Sequence, residues 1–171
     1  MAASLTRRAP QTHVITALVG NHPGVLARVA GLFARRGYNI ESLTVSVTED
    51  PDVSRMTIVV AGDQLVLEQI TKQLHKLIEV IRVADYVDAP TVERELGLIK
   101  VRAEPKDRGE IMQIVEVFRG RIIDMSDRTF VIEVTGSVEK LDKMAELLSS
   151  YGIREMVRTG VIAMARGSRT A

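Results

Sequence analysis

Residues 13–48 read HVITALVGNHPGVLARVAGLFARRGYNIESLTVSVT, and the hydrophobic period changes twice within them. His13–Gly20 is a short apolar run closed by glycine, the pattern of a buried strand. Asn21-His22-Pro23-Gly24 is a turn that opens a helix. Asn or His can cap it, and proline suits a first helical turn, where its missing N–H is not needed. Leu26, Val29, Leu32 and Phe33 follow at helical spacing, and Arg35, Arg36 and Gly37 supply a basic end and a glycine stop. Tyr38–Thr48 returns to strand, with Leu43, Val45 and Val47 alternating. Ile40 is out of phase with that trio, which predicts a bulge between them.

Downstream, Glu49-Asp50-Pro51-Asp52 is a turn, and Met56, Ile58 and Val60 mark a strand of period two. After Gly62, Leu67, Ile70, Leu74 and Leu77 form a helical stripe, and Val80–Val87 is a fourth strand. The order β-α-β-β-α-β is the split arrangement of ferredoxin-like domains. Asp88–Glu95, DAPTVERE, carries Pro90 and few apolar residues, so a linker is expected over 89–95. Then the plan repeats. Leu96–Ala103 reads as strand, Gly109–Phe118 as helix, Arg121–Met125 and Thr129–Val134 as a strand pair, Val138–Tyr151 as helix and Ile153–Ala165 as a final strand.

The halves can be superposed in sequence. Gly24, Leu26, Val29 and Phe33 match Gly109, Ile111, Ile114 and Phe118 at identical spacing, and Gly62, Leu67, Ile70 and Leu74 match Gly136, Leu141, Met144 and Leu148. Any two amphipathic helices share such spacing, but two of them in register with one strand order favour an internal duplication. The expectation is an α+β chain of two tandem ferredoxin-like βαββαβ domains, 13–88 and 96–166, with a flexible N-terminal arm over 1–12 and a tail over 167–171.

Composition restricts the chemistry. The 171 residues include 23 basic and 22 acidic side chains, a net charge of +1 that argues against nucleic-acid binding. The absence of cysteine removes disulfides, thiol catalysis and cysteine-ligated zinc, and fits a reducing cytoplasm. No apolar run approaches the roughly 20 residues of a membrane helix. Arg7 and Arg8 are followed by no apolar core, so no signal peptide is expected. His13, His22 and His75 have no metal-ligand spacing, and His75, beside Lys72 and Lys76, is expected at the surface. No serine elbow, phosphate loop or dinucleotide fingerprint is present. The competing reading, a ferredoxin-like RNA-binding module, needs aromatic residues on central strands; these strands offer only Tyr38 and Phe130.

What remains is the loop Asn21–Leu26. Glycine allows close approach to the backbone, first-turn N–H groups can take an anion, and Asn21–Arg36 contains no acid to repel one. A plain helix start gives the same local pattern.

The runs NHPGVLARVAGLFARRGYNIESLTV (21–45), SRMTIVV (54–60), LEQITKQLHKLIEVIRV (67–83), VERELGLIKV (92–101) and FRGRIIDMS (118–126) closely resemble the small regulatory subunits of acetohydroxyacid synthase (acetolactate synthase). The resemblance covers about residues 12–166. It implies an N-terminal ACT domain, a second ferredoxin-like domain and no cofactor or metal in this chain. It implies as partner a large catalytic subunit carrying thiamine diphosphate, magnesium and flavin, which joins two 2-oxo acids with loss of carbon dioxide. The small subunit is implied to raise that activity and to confer inhibition by a branched-chain amino acid, usually valine, with leucine or isoleucine as alternatives. The effector is implied to lie between the ACT domains of a homodimer. Asn21, Gly24, Val25 and Leu26 would come from one copy, Asn39 and Ile40 from the other. Main-chain N–H groups at Gly24–Leu26 would take the carboxylate, and an amide oxygen of Asn21 or Asn39 the ammonium group. Asn39 can equally be a turn residue after Gly37. The counterpart of Asn21 in the second domain is expected to be Lys106, so that domain is expected to lack the site.

Overall fold

The computed structural model describes residues 12–86 and 90–168. The elements are β1 (Thr12–Gly20), α1 (Val25–Arg36), β2 (Ile40–Val47), β3 (Val53–Ala61), α2 (Gln64–Leu74), β4 (Val80–Asp85), β5 (Thr91–Arg102), α3 (Arg108–Val117), β6 (Arg121–Met125), β7 (Thr129–Gly136), α4 (Val138–Ser149), β8 (Ile153–Arg158) and β9 (Ile162–Ala165). They form two compact units. One takes the described residues through Thr91 together with those from Ala163 onward, and the other is Val92–Ile162. Most of the expected arm and tail, and Val87 of the expected fourth strand, lie outside the described residues.

In the first unit the antiparallel sheet has the order β2-β3-β1-β4. β1 alternates, so Ile15, Ala17 and Val19 face α1 and α2 and join Val25, Val29, Leu32, Phe33, Leu67, Ile70 and Leu74 in the core. The second unit repeats the order as β6-β7-β5-β8, over a core of Ile99, Val101, Phe130, Ile132, Ile111 and Leu141. This is the α+β, twice ferredoxin-like architecture read from the sequence. The bulge is also present: β2 slips against β3 between Ile40 and Ser42.

The structure differs from the sequence reading at three places. Residues 91–95, expected as linker, are the opening of β5, where Glu95 is buried and alternates with its neighbours. The expected final strand breaks at Gly160 (φ 85°), and from Ala163 onward the chain belongs to the first unit. The match between α1 and α3 is one residue out: buried Val25 and Val29 correspond to Ile111 and Val115, while Leu26 is exposed. For α2 and α4 the match holds, with Leu67, Ile70 and Leu74 buried like Leu141, Met144 and Leu148.

Candidate functional site

Gly24 is the N-cap of α1, at φ 91° and ψ −16°. This left-handed conformation is open to glycine without steric cost. An added Cβ there would meet nothing within 4 Å, so the demand for glycine is conformational. α1 has no acidic residue in its first turn and receives no side-chain cap hydrogen bond. Val25 N reaches His22 O only at 3.5 Å, and Arg28 N closes on Gly24 O at 3.0 Å. α2 and α4 are finished differently: Asp63 Oδ1 accepts from Val66 N at 2.9 Å, and Ser137 Oγ from Lys140 N at 3.4 Å. The positive end of α1 is thus left for a ligand or solvent to satisfy.

Neither Asn21 nor His22 caps the helix. Asn21 N donates to Asp52 O at 2.8 Å, its Nδ2 donates to Pro51 O at 2.7 Å, and its Oδ1 accepts from Ser54 Oγ at 3.1 Å. The side chain therefore ties the loop to the β2–β3 turn and to β3. The His22 ring lies against Gly20, where a Cβ would come within 3.1 Å of it. Behind the loop Gly20 N donates to Glu79 O at 2.9 Å, and the Glu79 carboxylate pairs with Arg28 Nη1 at 2.6 Å.

Of the residues singled out from sequence, Asn21, Gly24, Val25 and Leu26 meet at this end of α1. Val25 points into the core, so only its backbone is available, whereas Leu26 is 46% exposed and offers apolar surface beside the N-terminus. Asn39 and Ile40 stand past the other end of α1. Asn39 is exposed and its Nδ2 donates to Glu41 Oε1 at 2.7 Å, leaving Oδ1 outside that bond. Ile40 is half-buried and pairs with Val60. Twelve residues of helix put about 18 Å between the two groups.

Ser54, Arg28 and Glu79 were not singled out from sequence. Ser54 is a lone hydroxyl opening the apolar run of β3, and Arg28 stands one turn past Gly24; those positions were the available signals. The arrangement can hold an anion and orient it. Among the described residues no three His, Asp or Glu side chains are placed to hold a metal ion.

The corresponding helix of the second unit is built against an anion. Asp107 is the N-cap of α3 and Glu110 lies in its first turn, so two carboxylates occupy the positive end. With α3 shifted by one residue, the position matching Asn21 is Asp107 rather than Lys106. A carboxylate there repels an anion, whereas the expected lysine would have attracted one.

The family described as the AHAS small subunit-like ACT domain matches residues 15–82, and that described as the small subunit of acetolactate synthase matches residues 94–167. A probable acetolactate synthase small subunit of Methanothermobacter thermautotrophicus is 57% identical over 162 residues, covering 94% of this chain and 96% of the relative. The acetolactate synthase small subunit of Mycolicibacterium smegmatis is 51% identical over 158 residues, covering 92% and 93%. The crystal structure of the acetolactate synthase small subunit from Thermotoga maritima superposes with a TM-score of 0.86 at 46% identity, covering 93% of this chain and 99% of that one. Sequence and fold agree, and the chain belongs to the acetolactate synthase small subunit family.

Proposed function

We propose that this chain is the regulatory, non-catalytic subunit of acetohydroxyacid synthase. In this reading it binds a branched-chain amino acid, valine foremost, raises the rate of a large catalytic subunit and makes that rate sensitive to the effector. The observation that carries the reading is the N-terminus of α1: a left-handed Gly24, no side-chain cap and no acid in the first turn. An amino-acid carboxylate is the size and charge such an end accepts. Leu26 supplies apolar surface for a branched side chain. Asn39 Oδ1, outside its own bond to Glu41, is available to an ammonium group. Asn21 is the weaker candidate for that role, since its Oδ1 already accepts from Ser54.

The small-subunit name of the relatives calls for a large partner, and in this reading that partner carries the thiamine diphosphate, magnesium and flavin chemistry. The separation of Gly24 from Asn39 along α1 supports a homodimer that shares its sites. We place the protein in the cytoplasm, a reading supported by the absence of cysteine; among the described residues no helix is long and apolar enough to cross a membrane.

Reconstitution tests the whole. Purified chain titrated calorimetrically with valine, leucine and isoleucine should bind at least one of them. It should form no acetolactate alone, and should raise the large subunit's rate severalfold. Turnover by the chain after rigorous removal of large subunit, or no heat with any of the three amino acids, would overturn the reading.

A further inference from the structure

The face of the first sheet turned away from α1 and α2 carries polar groups, yet they are buried. Thr16 alternates with the core residues Ile15 and Ala17 on β1 and pairs with Thr57 on β3; the two are 1% and 3% exposed. Part of what satisfies this face is a clasp. Thr16 Oγ1 and Tyr86 OH share a hydrogen bond of 3.0 Å, and Arg55 Nη2 donates both to Tyr86 OH at 3.1 Å and to Ala163 O at 2.8 Å. Among the described residues the Arg55 guanidinium has no carboxylate partner; its acceptors are a phenol oxygen and a main-chain carbonyl. Ala163 and Ala165 are buried, and Arg166 fastens the same segment by donating from N to Pro90 O at 2.8 Å and from Nε to Thr91 O at 3.1 Å.

Arg55 is also next to the effector loop. The residue before it on β3, Ser54, faces the other side of the sheet and donates its hydroxyl to Asn21 Oδ1. One peptide unit therefore joins the side chain that anchors the loop to the side chain that holds 163–166, and the chain enters that segment directly from Ile162 of the second unit. We propose that Arg55 is a positioning residue that reports the state of the Asn21–Leu26 loop to residues 163–166. A loop held by the effector keeps Asn21 and Ser54 in place and the Arg55–Ala163 contact closed; the closed clasp is the inhibited state. The segment is suited to two states. It is only four strand residues long, and so short an element opens at low free energy. The proposal rests on the loop being the effector site, and its test reads the two separately.

The test compares Arg55→Met with the natural chain in the reconstituted holoenzyme. Valine binding to the natural chain by calorimetry reports on the loop. If it is absent, both the effector reading and the clasp fall. If it is present, Arg55→Met should bind valine and activate the large subunit to within about twofold of the natural chain, while the valine concentration for half-inhibition rises about tenfold or more. Hydrogen exchange at the Arg166 amide gives the readout that a merely structural role would not move. Valine should slow it in the natural chain and leave it unchanged in the variant. Unaltered inhibition in Arg55→Met overturns the proposal, and so does a loss of valine binding in step with the loss of inhibition. If Arg55→Met fails to fold, Tyr86→Phe removes one acceptor and should raise the half-inhibition concentration in the same direction, by about threefold. No change in that variant is equally decisive against the clasp.

Discussion

Gly24 and Asn39 stand at opposite ends of α1, the first as its N-cap and the second two residues beyond its C-cap, Gly37. The twelve intervening helical residues span about 18 Å, well beyond the reach of one amino acid. A pocket that uses both residues must therefore draw them from two copies of the chain.

Gly24 separates a backbone requirement from a charge requirement. In Gly24→Ala the new Cβ meets no atom, so the cost is that of holding an L residue at φ 91°, about 1 kcal/mol of stability. Gly24→Asp adds a carboxylate at the positive end of α1, facing the ligand's own. Valine inhibition should weaken in the alanine variant and vanish in the aspartate variant, with activation of the large subunit retained in both. Denaturant melts and inhibition curves check the two effects independently. Full valine sensitivity in Gly24→Asp would show that this loop is not the carboxylate cradle.

Asn21 is an anchor rather than a cap, which makes its variants distinguishable. Asn21→Ala removes the bonds to Pro51 O and Ser54 Oγ and should cost about 1 kcal/mol. Asn21→Asp keeps an acceptor for Ser54 but sets an oxygen against Pro51 O and a negative charge beside the loop. Valine binding by calorimetry should weaken more in the aspartate variant than in the alanine variant. The reverse order would mean that the anchoring, not the charge, governs affinity.

The fold was legible where period and punctuation agreed. Ile40, out of phase with Leu43, Val45 and Val47, announced the slip that β2 makes against β3. Leu67, Ile70 and Leu74 announced both α2 and its counterpart in α4. Period alone does not say which core a segment packs into, so the return of Ala163 to the first unit could not be read. Nor does spacing fix helix phase to within one residue. Leu26 and Val25 are adjacent apolar residues, and only packing decides that Val25 goes inward. At the site, the glycine and the lack of acids were readable, because they are properties of the local chain. The bonds of Asn21 to Pro51 and Ser54 were not, since they join residues about thirty positions apart.

The second unit contains a buried carboxylate with a testable pH signature. The Glu95 side chain is 4% exposed and bonds Arg158 at 3.1 Å, and Arg158 also pairs with Asp142. Burial raises the Glu95 pKa, although Arg158 opposes the rise. A folded state that holds a proton more tightly than the unfolded one loses stability as pH rises from the ordinary carboxylate range through the raised value. In Arg158→Met the opposing cation is gone, so the raise should grow and the fall in stability between acid and neutral pH should steepen. At neutral pH the loss should be about 2 kcal/mol, below the full cost of stranding a buried charge because Arg158 is partly exposed. Urea melts at several pH values measure the slope. A parallel offset at every pH would show that Glu95 does not titrate in this window.

The sharpest test returns to the 18 Å of helix between Gly24 and Asn39. If each site takes its loop from one copy and Asn39 from the other, homodimers of Gly24→Asp have two damaged sites, and so do homodimers of Asn39→Ala. A mixed dimer is different. One of its sites pairs the loop altered by Gly24→Asp with the position altered by Asn39→Ala and collects both lesions, while the other pairs a natural loop with a natural Asn39. Mixing the two variants should therefore restore about one valine per mixed dimer, as twofold sharing requires. If both elements served a site within one chain, every site in the mixture would keep one lesion and nothing would be regained. Subunit exchange, confirmation of mixed dimers by native mass spectrometry and calorimetric titration with valine decide between these outcomes. Confirmed mixed dimers that bind no valine would rule the shared site out.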